Sequence, residues 1–313
     1  MRVNQADASQ ASCPSPKGRG VRGEGLGASQ SGPVLLGLTG YPLGHSLSPR
    51  LHNAALQVQG LPGKYRLFAV PPTAGEPTGL LDLLAEMRAG RILGLNVTIP
   101  HKQTMIPLLD QLTTAAAAIG AVNTVFCDGQ RLLGDNTDAP GFWSDLQASL
   151  PLPDMPGQQA LVLGAGGAAR AVCYALLQHG WQVTLAARRP EQARALGQAF
   201  QPLFGEAALA VCPFSQLSQV QAVALLVNAT PLGMYPQPDN SPWPADLPLP
   251  AGAAVYDLVY NPRQTRLVRQ AQAAGLSAAG GLGMLVEQAA LAWERWFGQQ
   301  APRQAMWSSI QDV

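Results

Sequence analysis

Lys102 lies just beyond an apolar strand candidate in the run Asn96-Val97-Thr98-Ile99-Pro100-His101-Lys102, and Asp138 closes the run Gly134-Asp135-Asn136-Thr137-Asp138. An amine and a carboxylate at the ends of two apolar stretches can handle a proton together. A lysine placed beside a carboxylate is a couple suited to proton transfer. Each run also has a plainer reading: Asn96 and Thr98 as turn or capping residues, Lys102 as a solvated charge, and Asp138 as the N-cap of a helix beginning near Gly141. Taken together, the two runs suggest a Lys and Asp couple. Pro100 suits a first helical position, since its missing N–H is not needed there, and a helix is expected from about Gln103.

A second group of polar residues lies in Tyr41-Pro42-Leu43-Gly44-His45-Ser46-Leu47-Ser48-Pro49. Ser48-Pro49 reads as an N-cap and first-turn pair. Capping does not require Ser46, and two hydroxyls beside the positive end of a helix make a clamp for a carboxylate. His45 reads as a turn residue.

The third feature is Gly164-Ala165-Gly166-Gly167-Ala168-Ala169-Arg170, between an apolar run and a helical segment. Glycines there let backbone N–H groups approach a pyrophosphate at a helix N-terminus, although a tight strand-to-helix turn uses them too. The following strand ends in Ala186-Ala187-Arg188-Arg189, with no acid to accept from a ribose 2′-hydroxyl and two guanidiniums suited to a 2′-phosphate. That pattern points to NADP rather than NAD; two solvated arginines before Pro190 are the alternative.

These residues must be positioned by alternating strands and helices, which after Pro33 indicate α/β architecture with mostly parallel sheets. Strands are expected over 34–38, 65–70, 92–97 and 122–126, with helices from about Pro49, Gly79 and Gln103. A junction rich in proline spans 151–157. A Rossmann-like pattern follows: strand 160–163, helix 168–179, strand 182–186, and later strands at 223–227 and 253–257.

The chain has 313 residues, 47% hydrophobic and 12% charged, enough for two domains with real cores. A net charge of +1, with scattered Lys and Arg, lacks the footprint of a nucleic-acid binder and leaves a small molecule as the expected partner. Cys13, Cys127, Cys173 and Cys212 form no C-x-x-C pair and do not join the histidines at zinc-ligand spacing, so no metal site is expected. They read as free thiols, most of them in the core, in a reducing, cytoplasmic compartment. No apolar run of membrane-spanning length is present. Residues 1–32 read as a disordered leader whose deletion leaves activity intact.

In their order and spacing these motifs, with Ala121-Val122-Asn123-Thr124, Asn228-Ala229-Thr230, Asp257-Leu258-Val259-Tyr260 and Gly281-Leu282-Gly283-Met284-Leu285-Val286-Glu287-Gln288, resemble the shikimate dehydrogenase family. The resemblance runs from about Leu36 to Trp296. It implies NADPH-dependent, reversible reduction of 3-dehydroshikimate to shikimate in chorismate and aromatic amino acid biosynthesis. It implies that Ser46, Ser48 and Tyr260 hold the substrate carboxylate, and that Thr98, Asn123, Asp138 and Gln288 bind the ring hydroxyls. Lys102 and Asp138 would stand beside the reacting oxygen. Gly164, Ala165, Gly166, Gly167, Ala168, Arg188 and Arg189 would hold NADP, with nicotinamide near Leu258 and Gly281.

The implied architecture is an N-terminal α/β substrate-binding domain over 33–137, completed by helices returning over 280–313, and a Rossmann-like domain over 138–279. Leu282, Leu285, Val286, Ala289, Ala290 and Trp293 have the helical spacing for that return. Ala139, where the family commonly has glycine, and Ala187-Arg188-Arg189, in place of an Asn-Arg-Thr string, depart from the pattern. His101 replaces an apolar residue, with a possible effect on pH dependence. A quinate/shikimate dehydrogenase of relaxed cofactor use and a non-catalytic shikimate sensor are the alternatives, as monomer or homodimer.

Overall fold

The alternation of short apolar strands with amphipathic segments produces two sheets, one for each polar cluster. The computed structural model describes residues 33–73, 75–152, 157–220 and 222–312; the leader lies outside them. The first sheet contains β1 (Val34–Gly40), β2 (Gly63–Ala69), β3 (Gly94–Val97), β4 (Gln111–Leu112), β5 (Thr124–Asp128) and β6 (Arg131–Asp135), in the order β2-β1-β3-β5-β6-β4. Its helices are α1 (Ser48–Val58), α2 (Thr78–Arg88) and α3 (Thr114–Ile119). β1 runs parallel to β2 and β3, whereas β5 is antiparallel to both β3 and β6. β5 is thus the one strand of this sheet that runs against the others, so the sheet keeps the mostly parallel course expected of it with a single antiparallel member. Gly129, at φ 60°, makes the two-residue turn between β5 and β6, which is too short for the crossover that parallel strands need.

Two local expectations give way to the structure. Residues 99–105 form turns and Ile106–Leu108 a single 3-10 turn, so no α-helix starts near Gln103. Pro107 would fall inside such a helix, where it has no N–H to give the Gln103 carbonyl and its ring crowds that carbonyl. Ser48 opens α1 as a helical residue, and Leu47, which has no side-chain group to cap with, takes the cap position. The Ser48 hydroxyl is thereby released from capping.

The second sheet is wholly parallel: β7 (Gln159–Leu163), β8 (Gln182–Ala187), β9 (Leu209–Pro213), β10 (Val223–Asn228), β11 (Ala254–Asp257) and β12 (Ala278–Gly280), in the order β12-β11-β10-β7-β8-β9. Helices α5 (Gly167–Gln178), α6 (Pro190–Phe204) and α7 (Arg266–Ala273) cover it. The strand order reverses between β7 and β10, and a ligand crevice opens at the carboxyl ends of strands at such a point. Cys173 and Cys212 are buried here, while Cys127 on β5 is exposed.

Two helices tie the sheets together. Phe142 and Leu146 of α4 (Asp138–Ser149) join the apolar cluster of the second sheet with Val162 and Tyr256. Val286, Ala289, Ala290 and Trp293 of α8 (Leu282–Phe297) pack with Leu36, Leu38 and Leu51 of the first, and α9 (Arg303–Ser308) extends that layer through Met306. The chain therefore crosses between sheets at α4 and returns at α8. Among the described residues no helix is long and apolar enough to cross a membrane.

Candidate active site

The end of β3 delivers Asn96 into the interior, where Tyr65 of β2 donates its hydroxyl to Asn96 Oδ1 at 2.8 Å. Asn96 Nδ2 donates at 3.2 Å to both the Asn123 carbonyl and Thr124 Oγ1. The chain then turns. The Thr98 N–H donates to the Thr39 carbonyl, and the Val122 N–H to the Lys102 carbonyl at 2.8 Å, so the Lys102 backbone is anchored beside the approach to β5. From there the Lys102 ammonium reaches Asp138 Oδ2 at 2.5 Å, with the two side chains 16% and 7% exposed. Asn123 Nδ2 donates to Asp138 Oδ1 at 2.9 Å, and the Thr137 N–H holds Asn123 Oδ1 at 2.8 Å.

Asp138 is the first residue of α4. The helix thus begins at Asp138 itself, not near Gly141. Little water reaches this pair, so an ammonium proton is held at one defined atom.

The other carboxylate of the same run does a different job. Asp135 Oδ1 accepts from Thr113 Oγ1, and Oδ2 from Arg295 of α8, both at 2.6 Å. The His101 ring nitrogen Nε2 contacts the Val70 carbonyl at 2.6 Å, so this imidazole is committed to the backbone rather than to the Lys102 amine.

The serine loop lies at the other end of the Tyr65–Asn96 link. Ser46 Oγ accepts from the Ser48 N–H at 3.3 Å. The Tyr260 phenol comes in from beyond β11; burial raises its pKa, and contacts with the Leu47 backbone and the Ser46 hydroxyl oppose the rise. The Tyr65 phenol lies beside Ser48, its pKa likewise pushed well up by burial. Ser46, Ser48 and Tyr260 are thus brought together, with Tyr65 as an unexpected fourth member. Its signal in the sequence was slight: an aromatic at the one buried position of an otherwise largely exposed edge strand.

Thr98 and Gln288 are less engaged. The Thr98 methyl packs so close to Gly40 that a Cβ there would come within 2.3 Å of it. Gln288 turns its amide back to the Leu285 carbonyl at 2.7 Å. Its backbone nonetheless rests on Gly141, one turn of α4 beyond Asp138.

Across the cleft, the glycine turn carries three distinct demands. Gly164 has φ +113°, and a Cβ on it would lie 3.0 Å from the Ala229 carbonyl oxygen. Gly166 precedes α5 with nothing within 4 Å of a Cβ position, leaving room for a phosphate at the helix end. Gly167 faces Lys102: a Cβ there would sit 3.0 Å from Lys102 Cδ and 3.1 Å from its Cβ. Ala165 and Ala168 flank these positions, half-buried. Arg170, one turn along α5, donates to the Ile119 carbonyl at the end of α3. The glycine turn therefore rests directly on the stem of Lys102.

Arg188 and Arg189 follow β8, exposed and outside the ion pairs formed among the described residues. At the far wall, a Cβ on Gly281 would come within 2.2 Å of the Leu258 carbonyl oxygen, so these two backbones touch. Asp257 holds the Leu258 segment by accepting from the Val259 N–H, Asn228 Nδ2 and Thr265 Oγ1 at 3.0, 2.8 and 2.6 Å. Burial pushes its carboxyl up to about 6 against the pull of those three donors. Sequence reading placed Asn228, Asp257 and Thr137 in its motifs but gave them no role, because their partners lie far apart in the chain.

Two family models match: one described as the shikimate dehydrogenase substrate binding domain, over residues 38–125, and one described as the shikimate 5′-dehydrogenase C-terminal domain, over 281–311. The NADP+ shikimate dehydrogenase of Salinibacter ruber is 45% identical over 280 residues, covering 88% of this chain and 96% of that protein. The crystal structure of shikimate 5-dehydrogenase from Thermus thermophilus, in complex with NADP(H) and shikimate, superposes with a TM-score of 0.76 at 40% identity, covering 88% of this chain and 98% of that one. Quinate dehydrogenase from Corynebacterium glutamicum in complex with NAD gives 0.79 at 31% identity, covering 90% and 99%. With a paired lysine and aspartate under a glycine turn and such identity over most of its length, the chain belongs to the shikimate dehydrogenase family.

Proposed function

We infer that this protein is an NADP-dependent shikimate dehydrogenase, which reduces 3-dehydroshikimate to shikimate reversibly in aromatic amino acid biosynthesis. The observation that carries the reading is the Lys102–Asp138 pair lying directly under Gly167 of the nucleotide turn. When bound, the cofactor supplies or takes a hydride at the substrate carbon. In the direction of reduction Lys102 gives its proton to the carbonyl oxygen, and Asp138 orients that oxygen and holds the amine. Ser46, Ser48 and Tyr260 clamp the carboxylate, and Thr98, Asn123 and Gln288 take the ring hydroxyls; Gln288 must release its Leu285 bond to do so.

Gly164 to Ala168 receive the pyrophosphate at the start of α5, Arg188 and Arg189 the 2′-phosphate, and Leu258 with Gly281 border the nicotinamide. The domain limits that fit these roles are 33–137 with 280–313 for substrate and 138–279 for cofactor. All these groups come from one chain, so a single copy completes the site.

A quinate dehydrogenase with NAD shares the fold at 31% identity, which makes quinate and NAD the controls of choice. The test is oxidation of shikimate by purified protein, followed by cofactor absorbance with NADP and NAD in parallel and quinate as second substrate. Turnover of shikimate with NADP, far faster than with NAD, is the expected result. Equal use of NAD or quinate would move the assignment to the broader enzyme, and binding without turnover to a sensor.

A further inference from the structure

Asp145 is a buried carboxylate that none of the roles above employs, and it lies where three elements meet. It stands seven residues after Asp138 on α4, two helical turns and about 10 Å along the same face. Its Oδ2 accepts the hydroxyl of Tyr256, which is fully buried on β11 with the Phe142 ring edge-on at 5.2 Å. Its Oδ1 accepts from Ser149 Oγ at 2.9 Å. On the third side is the start of α8: a Cβ on Gly283 would come within 1.8 Å of Asp145 Oδ1, so only glycine allows the approach. The contact is reciprocated one crossing away, where a Cβ on Gly141 would lie 2.8 Å from the Gln288 backbone nitrogen.

Tyr256 precedes Leu258 by two residues, and Gly283 follows Gly281 by two. One carboxylate therefore links the helix that begins with Asp138 to both segments that border the nicotinamide.

We propose that Asp145 and Tyr256 are positioning residues that set the nicotinamide wall at a fixed distance from Lys102 and Asp138; the proposal rests on the dehydrogenase reading above. Neither touches substrate. They act by holding Leu258 and Gly281 in place, and hydride transfer is steeply sensitive to such placement.

The test compares wild type, Tyr256→Phe and Asp145→Asn in shikimate oxidation with NADP. It measures kcat, both KM values, the melting temperature, and the primary deuterium isotope effect with shikimate deuterated at the oxidised carbon. Tyr256→Phe is expected to lower kcat about tenfold and raise the isotope effect above that of wild type, with both KM values within about twofold. Asp145→Asn, whose amide oxygen still accepts the Tyr256 hydroxyl, shows the same signature at about threefold and serves if Tyr256→Phe does not fold. Wild-type kcat and isotope effect in either folded variant, whatever its melting temperature, overturn the proposal. A wild-type protein that fails to oxidise shikimate overturns the dehydrogenase reading itself, and this proposal with it.

Discussion

At the Lys102 ammonium, the 2.5 Å contact with Asp138 makes one prediction direct. Lys102→Ala removes the group proposed to give the proton in reduction and take it back in oxidation, so shikimate turnover falls by roughly 10²–10⁴-fold while shikimate binding by calorimetry persists; unchanged turnover would contradict the role. A second prediction concerns His52. It is fully buried, stacked on Tyr65 at 4.4 Å and tilted against Trp296, and neither ring nitrogen has a partner. Burial lowers its pKa to about 3, with the neighbouring Asn96 side chain opposing the shift. Below pH 6.5 the unfolded imidazole takes up a proton that the folded site refuses down to about 3. The stability that depends on a neutral His52 is therefore full above pH 6.5 and is lost as pH falls through that window, by about 1.4 kcal/mol per unit. His52→Phe keeps the stack and does not titrate. In denaturant unfolding at pH 6 and pH 4 it should gain on wild type by roughly that slope, whereas parallel losses would show that His52 does not govern the window. Lys102, Asp138 and the serines were legible as residue types suited to chemistry. His52, Tyr65 and the division of labour between Asp135 and Asp138 were not, since each depends on a partner from another element.

Among the elements, the glycine turn between β7 and α5 makes the sharpest demand. A methyl group on residue 167 must displace the Lys102 stem or hold the two sides of the cleft apart, because the other end of that side chain is pinned by Asp138. Gly167→Ala should lower kcat about tenfold or more with KM for NADP within about threefold, read by steady-state kinetics; a selective loss of NADP affinity would instead mean that residue 167 serves only the phosphate. The strand–turn–helix pattern of this segment was readable because it is local, requiring only glycines between an apolar run and a helical one. The helix expected from Gln103 failed for an equally local reason, Pro107, and the reversed course of β5 follows from the Gly129 turn; the hydrophobic pattern alone registers neither.

For the whole molecule, α4 and α8 carry the connection between the sheets, and the proposed ligands enter the cleft from opposite sides. Each ligand at a hundredfold excess over its Kd stabilises the folded state by about 2.7 kcal/mol, which for a chain of this length raises the melting temperature by roughly 5 °C. Shikimate and NADP together should add their separate shifts, since they occupy different walls of the cleft, and thermal-shift measurements check this directly. A melting temperature indifferent to shikimate would count against the ligand assignment.

The amino-acid sequence by itself determined the element types, the two-part α/β plan, the nucleotide turn and the candidate proton pair, because strand and helix periods, glycine turns and helix-end chemistry act over a few residues. Tertiary structure alone decided that Asp138 rather than Asp135 meets Lys102, and that Tyr65 joins the serines. It also set Gly167 on the lysine stem and seated Asp145 between Tyr256 and Gly283. Those pairings join residues from 17 to more than 100 positions apart, and their partners follow from sheet order and helix crossing, which no local spacing encodes.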